Sequence, residues 1–414
     1  MCLLKLGSSV CIPVCMTAGA LIAAAMPTAA EPTPPTWKVG TPIATYWAGP
    51  PMTEATARQM AEGGWNLVWC QANELDTAHQ LGLRAMLHDG LIAPESLDDP
   101  VKRQQLDELV AQAKTHPALY AYYVVDEPNA SRFPALGKLA AYLREQDPAH
   151  LAYINLFPTY ASNEQLGTQG DTATAYAEHL KQYVEVVKPA LISYDHYHFA
   201  ANGDGSQYFL NLGMIRDKAL EAGVPFLNIV QACTWTPSMR VPTPDELAWL
   251  VYTSLAYGAQ GISYYVYSHP GHEGAMALAD GTPTPLYHAA SKLNREFVAI
   301  AGQLQPLRSL GAYHVGETPL GAEALPSDAP VAVETPVPTA GLVVGLFGRG
   351  DRATHAVVVN LSYRESASVT LTARARMGAF DCTTGRWQPL RTGKRAALEL
   401  GPGRGVLLRW RGTS

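Results

Sequence analysis

The stretch that decides the fold is Tyr120-Ala-Tyr-Tyr-Val-Val-Asp-Glu-Pro128. Its six leading residues are apolar or aromatic and rich in Tyr and Val, which predicts a buried β-strand. The strand ends abruptly in two carboxylates and a proline. Because successive side chains of a strand point to opposite faces, we expect one acid to point inward and its neighbour to brace it. We assign the working role to Glu127 and the bracing role to Asp126.

Seven further runs of apolar, β-branched or aromatic residues accompany this one, and helical patterns lie between them. The predicted strands are Pro42–Trp47, Asn66–Gln71, Arg84–His88, Leu119–Asp126, Leu151–Phe157, Leu191–His196, Pro225–Ala232 and Gly261–Tyr267. Apolar spacings of three and four predict helices that include 100–115, 172–187, 207–222, 244–257 and 286–303. Eight strands alternating with helices over about 270 residues indicate an α/β fold, a (β/α)8 TIM barrel. No glycine-rich nucleotide loop follows the first strand, which disfavours a dinucleotide-binding fold.

The composition changes after about residue 310. A link rich in Pro, Ala and Gly at 316–340 precedes short alternating segments, which predict a C-terminal antiparallel β-sandwich domain. The predicted strands of this domain are 341–347, 355–361, 367–373, 378–382 and 405–410. Few exposed aromatic residues are evident there, so we expect a domain that packs against the barrel rather than one that binds carbohydrate.

The N-terminal 30 residues have the three-part layout of a secretory signal peptide, with Lys5, an apolar stretch over 14–26 and small residues at 28–30. Pro13 and Pro27 interrupt the apolar stretch, which is shorter than the roughly 20 residues of a membrane-spanning helix. We therefore expect a secreted or periplasmic protein without a membrane span. The predicted divisions are a signal peptide at 1–30, a proline-rich spacer at 31–37, the catalytic barrel at 38–310, a linker at 311–340 and the β-sandwich accessory domain at 341–412.

Charge and cysteine content narrow the partners. The net charge of −6 and the lack of a basic stripe predict no nucleic-acid partner. Three cysteines, Cys70, Cys233 and Cys382, lie outside the predicted leader, and their spacing gives neither a disulfide framework nor a metal site. They are predicted to be buried free thiols, with a single bridge between Cys70 and Cys233 as the alternative. No cofactor is predicted, and the sequence gives no oligomeric state.

In a TIM barrel the residues just past the strand ends converge on one face. Here they combine carboxylates, neutral hydrogen-bonding groups and aromatic rings with almost no Lys or Arg, a mixture that suits a carbohydrate substrate. The predicted catalytic residues are Glu127, Asp126 and Asp195. The predicted substrate-binding residues are Trp47, His88, Asn155, Tyr194, His196, Tyr197, Gln231, Trp235 and Tyr267.

The sequence resembles the TIM-barrel glycoside hydrolases. Asp-Glu-Pro at 126–128 resembles the strand-four Asn-Glu-Pro of their large clan, whose glutamate is the acid/base. The Asp-Glu pair is also similar to that of N-acetylhexosaminidases, in which the substrate's own acetamido group attacks, and Ser-Tyr-Asp at 193–195 is similar to the strand-six Tyr-Asp of chitinases. The segments 247–267 and 280–287 resemble the last barrel units of secreted bacterial hydrolases with a trailing β-domain. The resemblance spans most of 40–310 and implies the reaction class but not one family.

One position departs from the clan's pattern. Retaining members place a nucleophilic glutamate at the end of strand seven, where this sequence has Gln231. Glutamine cannot serve as that nucleophile, so a two-carboxylate mechanism needs another partner. Asp195 at the end of strand six is the best placed, with Asp89 and Glu273 as further candidates.

The mechanism then has two versions, both with Glu127 as the general acid. The neighbouring charge of Asp126 and the apolar strand are expected to raise the pKa of Glu127. In the first version Asp195 is the base or nucleophile. In the second, Asp126 and either Tyr197 or Tyr194 orient an acetamido group of the substrate.

Competing interpretations exist for the same residues. The acid pair could cap the predicted helix at 131–147, although Ser131 is the better cap. His196 and His198 alternate on one strand end and could join His88, His269 or Asp89 around zinc or calcium, although no tight ligand cluster is visible and no metal site is predicted. The preferred function is a secreted glycoside hydrolase that cleaves a polysaccharide or oligosaccharide. The alternatives are a non-catalytic glycan-binding barrel and a metal-dependent hydrolase.

Overall fold

The computed structural model describes residues 42–335, 341–390 and 393–410. The predicted signal peptide and spacer lie outside these residues. Within the described ranges, no helix has both the length and the apolar character needed to cross a membrane.

Eight parallel strands form the barrel, and all eight predicted strands are confirmed. The strands are β1 (Ile43–Trp47), β2 (Leu67–Cys70), β3 (Arg84–Leu87), β4 (Leu119–Asp126), β5 (Leu151–Leu156), β6 (Ile192–His196), β7 (Phe226–Gln231) and β8 (Gly261–Tyr265). Their hydrogen-bonded order is β1-β8-β7-β6-β5-β4-β3-β2. Asn66 closes the gap between β2 and β1, because its backbone N donates to Ala44 O at 3.0 Å and its Oδ1 accepts from Ala44 N at 2.9 Å.

A helix follows each strand and packs on the outside of the barrel. The helices are α1 (Glu54–Glu62), α2 (Leu75–Gln80), α3 (Pro100–Ala113), α4 (Phe133–Gln146), α5 (Thr172–Val187), α6 (Tyr208–Ala222), α7 (Pro244–Tyr257) and α8 (Pro285–Leu304). Helix α7 shows how local sequence sets the bounds: Thr243 and Glu246 form a capping box around Pro244, and Gly258 ends the helix at φ 95°.

The C-terminal part forms the expected β-sandwich domain. Its strands are β9 (Arg308–Val315), β10 (Val331–Glu334), β11 (Leu342–Arg349), β12 (Arg352–Asn360), β13 (Ala367–Ala373), β14 (Met377–Asp381), β15 (Arg386–Pro389), β16 (Arg395–Leu400) and β17 (Gly405–Trp410). One sheet pairs β9-β11-β12-β17-β14-β15, with Glu323–Ala324 beyond β9, and the other pairs β10-β13-β16. Apolar side chains between the two sheets form their own core.

The predicted linker at 311–340 needs correction, because it contains most of β9 and all of β10. Strand β9 pairs with β11 along its whole length, so the accessory domain begins at Arg308. The pairing register shifts between Ser309 and Gly311. Such a bulge breaks the alternation of inward and outward residues, which removes the period-two pattern by which a strand is found in sequence.

The accessory domain packs directly on α7. Every residue of that helix from Glu246 to Tyr257 is buried, since one side faces the barrel and the other faces the sheet that contains β11 and β12. The approach is close: a Cβ added at Gly345 would lie 1.9 Å from the carbonyl oxygen of Ala256. Barrel and accessory domain therefore form one compact unit.

The three cysteines within the described residues are free, so the alternative of a bridge between Cys70 and Cys233 is wrong. Both are buried, and burial raises the pKa of each thiol to about 12. Cys233 donates its thiol hydrogen to Tyr265 O at 3.1 Å. These thiols are packing groups, not nucleophiles.

Candidate active site

A cavity of about 550 Å³ opens at the C-terminal ends of the barrel strands. The barrel interior below it is filled by packed side chains, with Trp47, Trp69 and Tyr123 in mutual ring contact at the top. The residues predicted from sequence that line the cavity are Trp47, Asp126, Glu127, Asn155, Asp195, Tyr197 and Trp235.

Both acids of the deciding stretch reach the cavity, which corrects the expectation that only one would point inward. Asp126 is the last residue of β4, and Glu127 follows with φ 42°. Its backbone N donates to Asn155 O at 2.9 Å and continues the pairing with β5. The left-handed conformation ends the strict alternation of the strand, so consecutive side chains can share one face. A non-glycine residue in this conformation costs about 1 kcal/mol or more.

Asn155 is the central hydrogen-bonding group. Its Nδ2 donates to Asp126 Oδ1 at 3.0 Å and to Asp195 Oδ1 at 2.8 Å, so one amide group bridges acids on β4 and β6. Its Oδ1 accepts from Ser193 Oγ at 3.0 Å, and Ser193 Oγ lies 2.7 Å from the hydroxyl of Tyr153. This chain fixes the amide orientation, and with it the position of both carboxylates.

Glu127 and Asp195 both line the cavity, and each carboxyl group affects the pKa of the other. Oδ2 of Asp195 is buried and has no hydrogen-bond partner among the described residues. Two carboxylates cannot bond to each other unless one carries a proton, because both are otherwise acceptors only. A bond between Glu127 and Asp195 therefore requires a proton on one of the two groups.

The electrostatics of Glu127 and Asp195 favour a proton on one of the two groups. Burial, and then the charge of Asp126, raise the pKa of Glu127 to about 7. Burial and the nearby charges of Glu127 and Asp126 raise the pKa of Asp195 well above its ordinary value. Burial also raises the pKa of Asp126, although the bond from Asn155 opposes that shift. At neutral pH this cluster can donate a proton and also carries negative charge.

Aromatic rings also line the cavity. Tyr197, Trp235 and Tyr265 contact one another with ring centroids 4.8–5.1 Å apart. His272 stacks on Trp235 at 5.9 Å and lies against Tyr265. Flat apolar faces beside hydrogen-bonding groups are the features that bind sugar rings.

Two loops complete the cavity. The β6 hairpin, defined here as Phe199–Asp204, pairs Phe199 with Asp204 and Ala200 with Gly203, and Ala200 lines the cavity. The β7 loop, defined here as 233–240, contributes Trp235, Ser238 and Met239 to the lining. Backbone bonds join the two loops, from Ala201 N to Ser238 O at 2.8 Å and from Arg240 N to Phe199 O at 3.3 Å.

Gln231 holds these loops and does not face the cavity. Its Oε1 accepts from Phe199 N at 2.8 Å, and its Nε2 donates to Phe199 O at 3.0 Å and to Arg240 O at 2.7 Å. The side chain is fully buried. Its predicted role in substrate contact is therefore replaced by support of the β6 hairpin and the β7 loop.

Replacing Gln231 by Glu is expected to lower the free energy of unfolding by about 3–5 kcal/mol rather than create a nucleophile. Glutamate cannot donate to the carbonyls of Phe199 and Arg240, and it would place a charge at a fully buried position. Chemical denaturation followed by Trp fluorescence measures the loss.

Gln165→Glu is the matched control. Gln165 is exposed, and its Oε1 accepts from Ser162 N at 2.9 Å, a bond that a carboxylate retains. Its stability should stay within about 0.5 kcal/mol of the wild type. Equal losses in the Gln165 and Gln231 variants would contradict the structural role of Gln231.

Four other predicted substrate-binding residues lie outside the cavity lining. Tyr194 is fully buried between the barrel and its helices. His196 points its Nδ1 to Asn211 Oδ1 at 2.9 Å. Tyr267 follows the end of β8, packs on Tyr46 and Trp65, and donates to Gln59. His88 lies beside the ring of Trp69. Each belongs to the packing around the site, because strand ends carry side chains outward as well as inward.

Several lining residues were not predicted from the sequence. They are Phe157, Pro158, Tyr160, Ala161, Gln165, Ala200, Ser238, Met239 and Tyr265. Tyr265 was missed because the apolar run continues to Tyr267 and hides the true end of β8. The others lie in loops, and no residue pattern shows which loop residues fold inward over a barrel.

The histidines gather no ligand cluster. The ring of His198 stacks on Trp249 at 4.8 Å, whereas His196 Nδ1 lies 2.9 Å from Asn211 Oδ1. Over the described ranges, no three His, Cys, Asp or Glu side chains come together as a metal site. Ser131 does not cap α4 either: Asn129 Oδ1 accepts from Ser131 N at 2.9 Å in a short turn, and the acid pair is free of a capping role.

Comparison with known proteins supports the fold. No family model matches the sequence, and no curated protein matches it. A family 39 glycoside hydrolase from the gut symbiont Bacteroides cellulosilyticus has a similar structure, with a TM-score of 0.50 and 11% identity over 90% of this chain and 81% of that chain. A second solved structure, a glycoside hydrolase, gives a TM-score of 0.51 and 13% identity over 88% of this chain and 91% of its own. At such identities the likeness establishes the architecture: the chain is a TIM barrel with a C-terminal β-sandwich domain.

Proposed function

We propose that the protein is a glycoside hydrolase in which Glu127 is the general acid. The observation that carries this proposal is the pKa of Glu127, which burial and the charge of Asp126 raise to about 7, beside a cavity walled by aromatic rings. A carboxyl group that still holds its proton near neutral pH can deliver it to a leaving oxygen. The similar architecture of two glycoside hydrolases is consistent with this function.

The reaction follows from this arrangement. Glu127 transfers its proton to the glycosidic oxygen as the bond from that oxygen to the anomeric carbon breaks. The carboxylate of Asp126 stabilises the positive charge that develops on the sugar ring. Glu127, now ionised, then takes a proton from the incoming water and returns to its starting state.

The raised pKa of Asp195 bears on the choice of mechanism. Carboxyl groups that attack directly stand about 5–5.5 Å from the acid, and those that activate a water stand about 6.5–9.5 Å away. Either role requires an ionised carboxylate, whereas burial and the charges of Glu127 and Asp126 raise the pKa of Asp195 well above its ordinary value. This favours Asp195 as the proton partner of Glu127 and an acetamido group of the substrate as the attacking group.

In this version Asp126 and Tyr197 orient the acetamido group. Both line the cavity, whereas Tyr194, the other tyrosine considered, is buried outside it. We also propose that the protein is exported, on the strength of the predicted leader at 1–30.

A non-catalytic barrel is a poorer account of the same site. Three acids around Asn155 repel one another and, in Glu127, occupy a strained backbone conformation. A surface that only binds glycans gains nothing from that cost.

A panel of aryl glycosides tests the proposal. The expected result is release from neutral or N-acetylated sugars and at least tenfold slower release from uronides, because three acids line the cavity and none of the described residues lining it is Lys or Arg. A preference for 2-acetamido over 2-hydroxy substrates supports the substrate-assisted version. No release from any class contradicts the proposal, whereas equal release from uronides contradicts only the argument from the charge of the cavity.

A further inference from the structure

The accessory domain contacts one wall of the cavity. That wall is the β6 hairpin, whose Ala200 lines the cavity and bridges to Met239 of the β7 loop. At the other end of the hairpin, Asp204 pairs with Phe199. The hydroxyl of Tyr363, on the accessory domain, donates to Asp204 Oδ2.

Asp204 is bonded from two sides. Arg240 Nη2, at the end of the β7 loop, donates to Asp204 Oδ1 at 3.1 Å, and its Nη1 donates to the buried Glu246 of α7 at 2.6 Å. The ring of Tyr363 also meets the ring of Phe199 edge-on at 5.7 Å. Tyr363 thus contacts both strands of the hairpin, through its ring on one and its hydroxyl on the other.

The loop that carries Tyr363 is itself held firmly. Asn360 Nδ2 donates to Glu365 O at 2.7 Å and to Gly401 O at 3.1 Å, and Gly403 N donates to Ser362 O at 2.8 Å. This loop also abuts the start of α7, since a Cβ added at Gly403 would lie 2.3 Å from the carbonyl oxygen of Asp245. Because this loop is held on both sides, Tyr363 can hold the residues that it contacts in fixed positions.

We infer that Tyr363 is a positioning residue for the substrate cavity, so that the accessory domain sets the shape of the binding wall. The β6 hairpin packs against Tyr363. The position of the hairpin in turn sets the positions of Ala200 and Met239 in the cavity wall. Catalytic groups are independent of this contact, because Asn155 holds Asp126 and Asp195 from within the barrel. Only the kinetic part of the test rests on the proposed function.

Tyr363→Phe keeps the ring and removes the hydroxyl. The expected result is a KM about three- to tenfold higher with kcat changed less than about twofold; tenfold corresponds to about 1.4 kcal/mol. Amide hydrogen exchange of residues 199–205 should become faster, whether or not a substrate is known, because the hairpin loses one of its supports. Asp204→Asn, which weakens the same contact from the other side, should give the same pattern.

Arg404→Gln is the matched control. Arg404 belongs to the same domain interface and donates to Glu296 Oε2 at 3.2 Å, away from the hairpin. This variant should leave KM and exchange at 199–205 unchanged. Equal effects in the Arg404 and Tyr363 variants, or unchanged exchange in Tyr363→Phe, would overturn the inference. Faster exchange in a protein that cleaves no glycoside would refute the proposed function alone.

Discussion

Glu127→Gln is expected to lower kcat for glycoside release by a factor of about 10²–10⁴, the contribution of a positioned general acid. The amide has nearly the shape of the acid and can still meet Asp195, but it has no proton to give to the leaving oxygen. Initial rates with the best substrate of the panel measure the effect. The loss should be smaller for substrates with a good leaving group, such as a nitrophenolate, which needs little protonation.

Glu273→Gln provides the control. Glu273 lies in the segment that follows β8, yet it is exposed and does not line the cavity. Its activity should match the wild type. Full activity in Glu127→Gln would remove Glu127 from the mechanism.

The same acid predicts the pH profile. Glu127 must be protonated to act, so the rate should fall as the pH rises through about 7, the value to which burial and Asp126 raise its pKa. Substitution of Asp195 should move this limb to lower pH, because an amide in place of the carboxyl would donate to ionised Glu127 and favour its charged form.

Asp195→Asn is expected to lower activity and to increase stability at the same time. In the folded state burial and neighbouring charges raise the pKa of Asp195 well above its ordinary value. At neutral pH the unfolded chain has released this proton while the folded chain keeps it or bears a buried charge, so the folded state is penalised. We expect the free energy of unfolding of the variant to be about 1–3 kcal/mol higher than that of the wild type at pH 8.

The sign of the pH dependence separates this effect from ordinary packing. Since the folded pKa lies above the unfolded one, wild-type stability is highest below about pH 4 with respect to this group and decreases as the pH rises toward the folded pKa. The gain in Asp195→Asn should therefore vanish at acidic pH. Thermal unfolding at pH 4, 6 and 8 gives the comparison.

Asp147→Asn is the control of opposite sign. Asp147 is equally buried, but its carboxylate accepts from Tyr122 and His150, each at 2.7 Å. An amide there loses part of these bonds and should destabilise the protein at pH 8. A loss of stability in both variants would mean that Asp195 is an ordinary structural acid.

The barrel could be predicted from the sequence because its strands are buried on both faces and therefore form unbroken apolar runs. The stretch that ends in Asp126 and Glu127 is the clearest of them, and its two acids mark the edge where the cavity lies. Asp195 and Asn155 were predicted for the same reason, since each ends or nearly ends a strand.

The finer geometry could not be predicted. The left-handed conformation of Glu127 has no sequence signal, because glutamate rarely adopts it and only tertiary contacts impose it. The orientation of the Gln231 side chain depends on its hydrogen bonds to Phe199 and Arg240, which lie in two different loops. The contact of Tyr363 with Asp204 joins two domains, and no residue pattern in either segment predicts it.

Helix α7 has a consequence for how this protein could evolve. Buried along its length from Glu246 to Tyr257, it serves simultaneously as the outer layer of the barrel and as the floor of the sandwich. Most appended β-domains can be exchanged, lost or duplicated by recombination at a linker. Here a break before Arg308 would expose the apolar side chains of α7 to water, so we expect the two domains to be inherited together. Changes in substrate preference can then arise from mutations in either domain.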